Sequence, residues 1–260
     1  MKPTLAALLI VGFVSGCATL QDVGKQLNAD STDEKNSTIA KPFVNSLGMR
    51  FVPIPDTDVY FCVWETRFKD YAVYASNKGR LDPTWTDWLS NASYPVSGVS
   101  WQDAQKFCAW LTQKEISEGK IKAGQRYRLP TDAEWSTAAG LSIEKGKSPK
   151  GKSMGVKIYP WGEEWPPPKG AGNYSHVLNV DDFKGASRVA SFKANKHGLH
   201  DMSGNLWEWC EDWYDPEVEK TRVLRGGSWA TDTPNVLLWS FRQHYAPNYH
   251  RPGFRCVLTK

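Results

Sequence analysis

The stretch His197–Trp229 reads HGLHDMSGNLWEWCEDWYDPEVEKTRVLRGGSW and decides the expected fold. It places tryptophans beside glycines and acids, namely Trp207, Trp209, Trp213 and Trp229, Gly198, Gly204, Gly226 and Gly227, and Asp201, Glu208, Glu211 and Asp212. Large aromatic side chains bury much area but need partners for their indole N–H groups. Glycines beside them indicate tight turns at φ values that other residues resist. The pattern predicts a loop-rich core held by aromatic packing or a bound ion rather than by long helices or sheets.

Six short motifs, spread over roughly residues 43–258, occur in the order typical of one protein family. They are Tyr94–Val96 with Val99–Ala104, Arg128–Trp135, Tyr159–Gly162, Gly204–Trp209, Arg225–Trp229 and Gly253–Cys256. With these motifs the chain resembles the formylglycine-generating enzyme (sulfatase-modifying factor) family. The resemblance implies an α+β fold, namely the variant of the C-type lectin-like fold found in that family, loop-rich with short strands and a few helices.

Composition bounds the class of protein. The chain has 260 residues, which is long enough to bury a core. Its formal net charge of +4 makes it only weakly basic. No stripe of lysine or arginine concentrates this charge, so we expect no nucleic-acid partner.

The N-terminus has the features of an export signal. Lys2 precedes the apolar run Leu5–Val14, which is too short to span a bilayer but suits a signal peptide. The run ends in Val14-Ser15-Gly16-Cys17, which resembles the lipobox of bacterial lipoproteins. We therefore expect residues 1–16 to be removed and Cys17 to be lipidated, which anchors the chain to a membrane. Ala18 after the cysteine favours the outer membrane of a bacterial cell envelope, facing the periplasm or the cell surface.

Residues 17–42 are predicted to carry the lipid and form a flexible tether, since residues 18–40 are polar and lack aromatic residues. Residues 43–260 form the expected folded domain. Helices are predicted after the caps Thr66, Ser100 and Thr131, with stops at Gly79, Gly119 and Gly140. Strands are predicted at 51–55, 59–64, 189–192, 222–224 and 254–258.

Apart from Cys17, four cysteines remain in a chain expected to be exported, where disulfides persist: Cys62, Cys108, Cys210 and Cys256. They permit three pairings, and the residues alone do not choose between them. The resemblance implies a bond between Cys108 and Cys256. Cys62 and Cys210 would be left as a second pair.

The resemblance also implies two structural calcium sites, since irregular acidic loops supply the oxygen ligands that calcium prefers. The first would use the side chains of Asn173 and Asp181 with the carbonyls of Tyr174 and Phe183. The second would use Glu208 with carbonyls of Ser203, Gly204 and Leu206. The alternative is that Asp181 is a surface acid and that Glu208 is a capping or salt-bridged acid.

The oxidase centre is where the sequence departs from the family. Formylglycine-generating enzymes hold copper(I) with two cysteines shortly after an Arg-Gly-Gly-Ser motif, because soft thiolates suit that ion. In this chain Thr231 and Val236 stand at those positions. Copper is therefore not expected as a cofactor, and sulfatase activation by that mechanism is improbable.

We expect a binding or scaffold protein whose groove lies around Trp209, Ser228, Trp229, Arg242 and His244 and takes a protein, peptide or glycan. The alternative is a divergent oxidoreductase, of formylglycine-generating type or acting on a small molecule, that uses another metal centre. Histidines are the candidates for such a centre. The pair His197 and His200 flanks a glycine in a predicted turn, and His244 and His250 lie in the loop bordering the groove.

Overall fold

The computed structural model describes residues 42–78, 92–141 and 144–260. The predicted signal peptide, Cys17 and nearly all of the tether lie outside these ranges, as does the expected helix stop at Gly79. The helices are α1 (Phe68–Asn77), α2 (Trp101–Ser117), α3 (Asp132–Ala139) and α4 (Pro149–Lys152), with 3₁₀ turns at His176–Leu178 and Pro234–Leu237. The strands are β1 (Phe43–Val44), β2 (Arg50–Pro53), β3 (Val59–Cys62), β4 (Tyr127–Arg128), β5 (Glu208–Trp213), β6 (Arg222–Arg225), β7 (Gln243–Tyr245) and β8 (Val257–Thr259). The expected mixed, loop-rich fold is confirmed.

Helices α2 and α3 begin and end at the residues that the sequence indicates. The Ser100 hydroxyl accepts the backbone N–H of Asp103 at the start of α2. Thr131 and Glu134 form a reciprocal capping box at the start of α3. Gly140 ends α3 with φ 97°, a left-handed conformation that favours glycine.

Two antiparallel sheets carry the strands of the described regions. The larger has the order β1-β2-β3-β8-β4, so the C-terminal strand lies between strands from the first half of the chain. The smaller has the order β5-β6-β7 and contains the motif stretch. In it Trp209 lies opposite Leu224, and a register irregularity follows before Trp213.

Aromatic side chains fill the space between the helices and the C-terminal segment. Phe107 of α2 is fully buried and stacks with Tyr71 of α1 at a centroid distance of 5.6 Å. It also meets Phe254 edge-on at 5.5 Å. These rings form the core, as the helical spacing predicts, and are not available to a ligand.

Three predictions of local structure are wrong, and contacts made by Arg67, Ala190 and Arg255 account for them. Helix α1 is capped one residue later than expected, because the Asp70 carboxylate accepts both the backbone N–H and the Nε–H of Arg67. Residues 189–192 form a turn instead of a strand, with Ala190 at φ 62°. Its N–H donates to Asp201 at 2.6 Å. The last strand starts at Val257 rather than Phe254, since Arg255 turns into the interior.

The buried ion pair between Glu208 and Arg255 joins the two sheets. Glu208 begins β5, and its carboxylate accepts the Arg255 Nε–H at 2.8 and 2.9 Å. The Trp135 indole of α3 donates to the same carboxylate at 3.0 Å. Arg255 also donates to the carbonyl of His200 at 2.9 Å. Both charges are almost fully buried, so each depends on the other for compensation.

No helix within the described ranges is long and apolar enough to cross a membrane.

We predict that Arg255→Met lowers the free energy of unfolding by about 3–5 kcal/mol, because it leaves Glu208 as an uncompensated buried charge. Urea denaturation measures the change. The double variant Arg255→Met/Glu208→Leu should recover part of the loss, since no unpaired charge is left. Lys150→Met, which breaks the exposed pair with Asp215, is the control and should have little effect. Equal losses of unfolding free energy in Arg255→Met and Lys150→Met would contradict the assignment of the Glu208–Arg255 pair as a stabilising buried contact.

Candidate functional site

Gly204 lets the motif loop pack directly on the segment that follows Gly172. It has φ 84°, and a Cβ atom at this position would lie 2.4 Å from the carbonyl oxygen of Asn173. The next residue, Asn205, donates its backbone N–H to that same carbonyl at 2.8 Å. The backbone approach therefore requires glycine at 204 and brings the two predicted calcium loops into contact.

The first predicted calcium site has a suitable set of oxygen atoms. Asn173 is buried, and its Oδ1 has no hydrogen-bond partner among the described residues. Asp181 is half-buried and accepts one backbone N–H on each oxygen, from Tyr174 at 3.0 Å and from Phe183 at 2.9 Å. A carboxylate has further lone pairs beyond these two bonds. The orphaned amide oxygen beside a fixed carboxylate fits an ion that prefers hard oxygen ligands.

The second predicted calcium site does not fit the residues present. Both oxygens of Glu208 are engaged by Arg255 and Trp135, and the side chain lies in the interior between the sheets. A calcium ion there would have to displace the guanidinium. Glu208 is therefore the salt-bridged acid of the alternative interpretation. It offers no free carboxylate oxygen to an ion at the carbonyls of Ser203, Gly204 and Leu206.

Two further acids are buried beside this pair. Glu65 accepts the side-chain amide of Asn205 at 2.6 Å and the backbone N–H of Leu206 at 3.0 Å. Burial, followed by the charges of Asp201 and Glu208, raises the pKa of Glu65 well above its ordinary value. Burial also raises the pKa of Asp201 to about 6. The sequence gives no indication of Glu65, because a lone acid after a predicted strand carries no signal of its own.

The resemblance gives the two copper-ligand positions to Thr231 and Val236, and both residues have structural roles in this chain. The Thr231 hydroxyl accepts the backbone N–H of Ser228 at 3.0 Å and closes the turn after Gly227. Val236 lies in the 3₁₀ turn before the buried Leu238 and is itself half-buried. At the two positions that the resemblance gives to the copper ligands, the chain thus offers a hydroxyl and an aliphatic group, neither of which is a soft ligand for copper(I).

In the structure, some residues of the predicted pocket are buried and others are exposed. Trp209 is fully buried and donates its indole N–H to the carbonyl of Val99, so its placement in a groove was wrong. Arg242 is also buried, and its guanidinium is held by two carboxylates. Trp229 is 37% exposed and Ser228 is half-buried. An open surface is available at Ser228 and Trp229, whereas the other two side chains belong to the core.

Arg242 belongs to a buried charge network that the sequence did not reveal. Asp132, at the start of α3, accepts from Arg225 at 2.6 Å and from Arg242 at 2.9 and 3.0 Å. Glu144 pairs with Arg242 on its other side. Burial opposes ionisation of Asp132, but the two guanidinium groups outweigh it and hold the pKa of Asp132 below its ordinary value. The four residues are separated by up to 110 positions, which no local pattern connects.

The histidines are dispersed. His244 stacks on Tyr214 at a centroid distance of 3.9 Å, and its Nδ1 lies 3.1 Å from the Thr221 hydroxyl. His200 is buried with its Nδ1 2.7 Å from the carbonyl of Phe192, whereas His197 is half-buried. Burial lowers the pKa of His197 and of His244. No group of three or more His, Cys, Asp or Glu side chains within the described ranges is arranged to hold a metal ion.

The four described cysteines are buried, free thiols. The sulfur atoms of Cys108 and Cys256 lie 3.6 Å apart, which places the pair implied by the resemblance in contact. Burial, followed by the charge of Cys256, raises the pKa of Cys62 to about 12. Burial and the charge of Asp132 raise the pKa of Cys210. Cys62 thus lies near Cys256, and Cys210 lies near the Asp132 network, so the second pairing gains no support.

Comparison with known proteins identifies the family. The description "Sulfatase-modifying factor enzyme 1-like domain" matches residues 30–260, so the chain belongs to this family. The "Inactive C-alpha-formylglycine-generating enzyme 2" of Bos taurus is 36% identical over 141 residues, or 52% of this chain and 38% of that protein. The "Formylglycine-generating enzyme" of Thermomonospora curvata is 31% identical over 161 residues, or 52% of this chain and 45% of that protein. The matches thus span less than half the length of these relatives.

Solved structures share the fold. PvdO from Pseudomonas aeruginosa aligns with a TM-score of 0.54 at 18% identity, covering 81% of this chain and 90% of that one. Treponema denticola variable protein 1 aligns with the same TM-score and identity, covering 86% of this chain and all of that one. At these identities the likeness concerns the fold alone.

We predict that Asp132→Asn lowers the free energy of unfolding at neutral pH by about 3–5 kcal/mol, since two buried guanidinium groups lose their shared counter-charge. The pKa of Asp132 is depressed in the folded state. Its stabilisation is therefore complete above the unfolded value of about 3.9 and is lost as the pH falls through the folded value. Denaturation curves at several acidic pH values should show a shallower decline for the variant. Asp232→Asn, at an exposed position, is the control and should keep the wild-type slope.

Proposed function

We propose that this chain is a binding or scaffold protein on the formylglycine-generating-enzyme fold that has lost the copper oxidase centre of that family. The replacement of both thiolate ligands by Thr231 and Val236 is the observation that carries the proposal. Thr231 is committed to the turn that contains Ser228, so the loop keeps its shape without a metal. The relative named as inactive offers a precedent in the same family.

The state of the thiols supports a role without thiolate chemistry. Burial raises the pKa of Cys62, Cys210 and Cys256, and the thiolate is the reactive and metal-binding form. Buried thiols of this kind suit packing or a structural disulfide. We propose that Cys108 and Cys256, whose sulfur atoms are already in contact, form that disulfide in an oxidising compartment.

The proposed binding face is the surface formed by Ser228 and Trp229, whereas the predicted pocket residue His244 packs on Tyr214 and Thr221 instead. Trp229 holds its backbone in place by donating its N–H to the carbonyl of Asn205, so a partly exposed indole stands on a fixed loop. Aromatic side chains of this kind provide large contact area at low entropic cost. A protein, peptide or glycan is the proposed ligand.

We further propose that the protein is exported and anchored by lipid at Cys17, in the outer membrane of a bacterial envelope. The support is the sequence pattern of the first 17 residues, where a short apolar run leads to Val14-Ser15-Gly16-Cys17. In that setting the folded part would face the periplasm or the cell surface, and nucleic acid would not be a partner.

A divergent oxidoreductase is the competing function. Relatives named formylglycine-generating enzyme match about half of the chain at 31–32% identity, and their shared scaffold favours retained catalysis. The two functions differ in a measurable property. The oxidoreductase requires a redox metal and consumption of oxygen, and the scaffold requires neither.

The test compares the purified full chain with Thr231→Cys/Val236→Cys, which restores the two thiols. We predict that the wild type binds no stoichiometric copper(I) under anaerobic titration and consumes no oxygen with a cysteine peptide of the sulfatase type. The double-cysteine variant should gain about one copper(I) per chain, because it recovers the soft ligands. Thr231→Ser/Val236→Ala adds no sulfur and is the matched control. Stoichiometric copper or iron in the wild type with oxygen consumption would overturn the proposal in favour of the oxidoreductase.

Calcium is the proposed structural cofactor, at Asn173 and Asp181. Calcium at a hundred times its dissociation constant should stabilise the fold by about 2.7 kcal/mol, because it binds the folded state. Asp181→Asn should lose most of this gain, and Asp182→Asn, an adjacent exposed acid, should keep it. Thermal unfolding with calcium, magnesium or chelator measures the effect. An equal calcium response in both variants would contradict the site.

A further inference from the structure

A cavity of about 270 Å³ lies among the loops on one side of the motif stretch. The loop 192–203 forms one part of its wall, and Pro160, Gly170, Ala171 and Trp239 form the rest. Ligand pockets for drug-sized molecules are generally about 300–1,000 Å³. This cavity is therefore of a size for a small metabolite rather than for a peptide or a glycan chain.

Asp201 lines the cavity with an unused acceptor. The residue is 7% exposed, and its Oδ2 accepts the backbone N–H of Ala190 at 2.6 Å. Its Oδ1 is buried without a hydrogen-bond partner in the part of the chain that the structure describes. A buried carboxylate oxygen without a partner costs free energy, and the native structure normally supplies one. A ligand donor in the cavity would satisfy it.

The charges around Asp201 favour a cationic donor. Glu65 and Glu208 are buried nearby and act on Asp201 electrostatically, and Arg255 is the buried cation of this group. Arg255 directs its hydrogen bonds to Glu208 and to backbone carbonyls. Glu65 has both oxygens bonded to neutral N–H groups. Asp201 is thus the member of the group with both a vacant oxygen and access to a cavity.

The rest of the wall limits what kind of cation fits. Lys193 is exposed and lines the same cavity, so it would repel a ligand that carries only positive charge. The rings of Phe192 and Trp239 also line the cavity and suit the methylene part of a small molecule or the face of an ammonium group. A ligand with an ammonium group at one end and a carboxylate at the other matches both charges.

We propose that this cavity binds a small zwitterion of amino-acid class, with its ammonium group at Asp201 Oδ1 and its carboxylate toward Lys193. The lining of this cavity includes neither Ser228 nor Trp229, and the proposal does not depend on the function proposed for that surface.

The probes are ω-amino acids from glycine to 6-aminohexanoate, with alkylamines and alkyl carboxylates of matched length. Chemical-shift titration of the full chain at neutral pH, with calcium held in excess, gives the dissociation constants. We predict that one of the ω-amino acids binds at least about tenfold more tightly than the matched amine, and that the matched carboxylate binds least, because two charge-assisted bonds exceed one.

Two variants separate the charges. Asp201→Asn keeps an acceptor for Ala190 and tolerates φ 54°, so it should fold and yet bind the ω-amino acid at least about tenfold more weakly. Lys193→Gln should reduce the affinity for the ω-amino acid to that for the matched amine.

A third variant tests the cavity itself. Ala194→Leu, which narrows the cavity without changing charge, should weaken the binding of every probe. Ala186→Leu, outside the cavity wall, is the matched control and should leave binding unchanged.

Three results would overturn the proposal. The first is the absence of saturable binding by any ω-amino acid in the wild type. The second is unchanged affinity in Asp201→Asn. The third is a titration in chelated protein in which calcium alone perturbs the signals around Asp201 and no amine does, which would make the cavity a metal site. None of these results bears on copper binding or oxygen consumption, so failure here is distinguishable from failure of the proposed function.

Discussion

The ion pair between Glu208 and Arg255 is the contact on which the arrangement of the two sheets depends. It places opposite charges in a dry interior, where each would be strongly unfavourable without the other. Glu208 belongs to the small sheet, and Arg255 precedes the C-terminal strand, which lies between β3 and β4 in the large one. Because the Trp135 indole donates to the same carboxylate, helix α3 is held in the same unit. The geometry of this one pair therefore fixes three elements distant in sequence.

The same carboxylate explains why one of the two predicted calcium sites fits and the other does not. Where a guanidinium already neutralises the acid, a divalent cation has no vacant oxygen to bind, and this is the state of Glu208. Around Asn173 no such cation occupies the amide oxygen, and the fixed Asp181 lies in the same loop.

The chain has the fold of its family, and we propose that it differs in the loop that carries the family's chemistry. Gly204 allows close backbone contact within the motif loop, and Thr231 and Val236 stand at the positions that the resemblance gives to the two thiolates. At one of those positions the Thr231 hydroxyl closes the turn at Ser228, so the loop keeps its shape without a thiolate or a metal. In the function that we propose, the fold has lost its reaction centre and still presents Trp229 on a loop held by backbone hydrogen bonds, so that fold and function separate.

The sequence by itself determined the family, the loop-rich mixture of helices and strands, and the caps of α2 and α3. These features rest on short-range chemistry, such as the capping box at Thr131 and Glu134, and on motif order. Asn173 and Asp181 were implied as calcium ligands by the resemblance to the family. Only the tertiary structure decided that Glu208 pairs with Arg255, that Trp209 and Arg242 are buried, and that Asp201 keeps a vacant oxygen beside a cavity. Each of these features depends on residues brought together from distant parts of the chain. Burial shifts the pKa of an ionisable group, and burial is set by the tertiary structure rather than by neighbours in sequence.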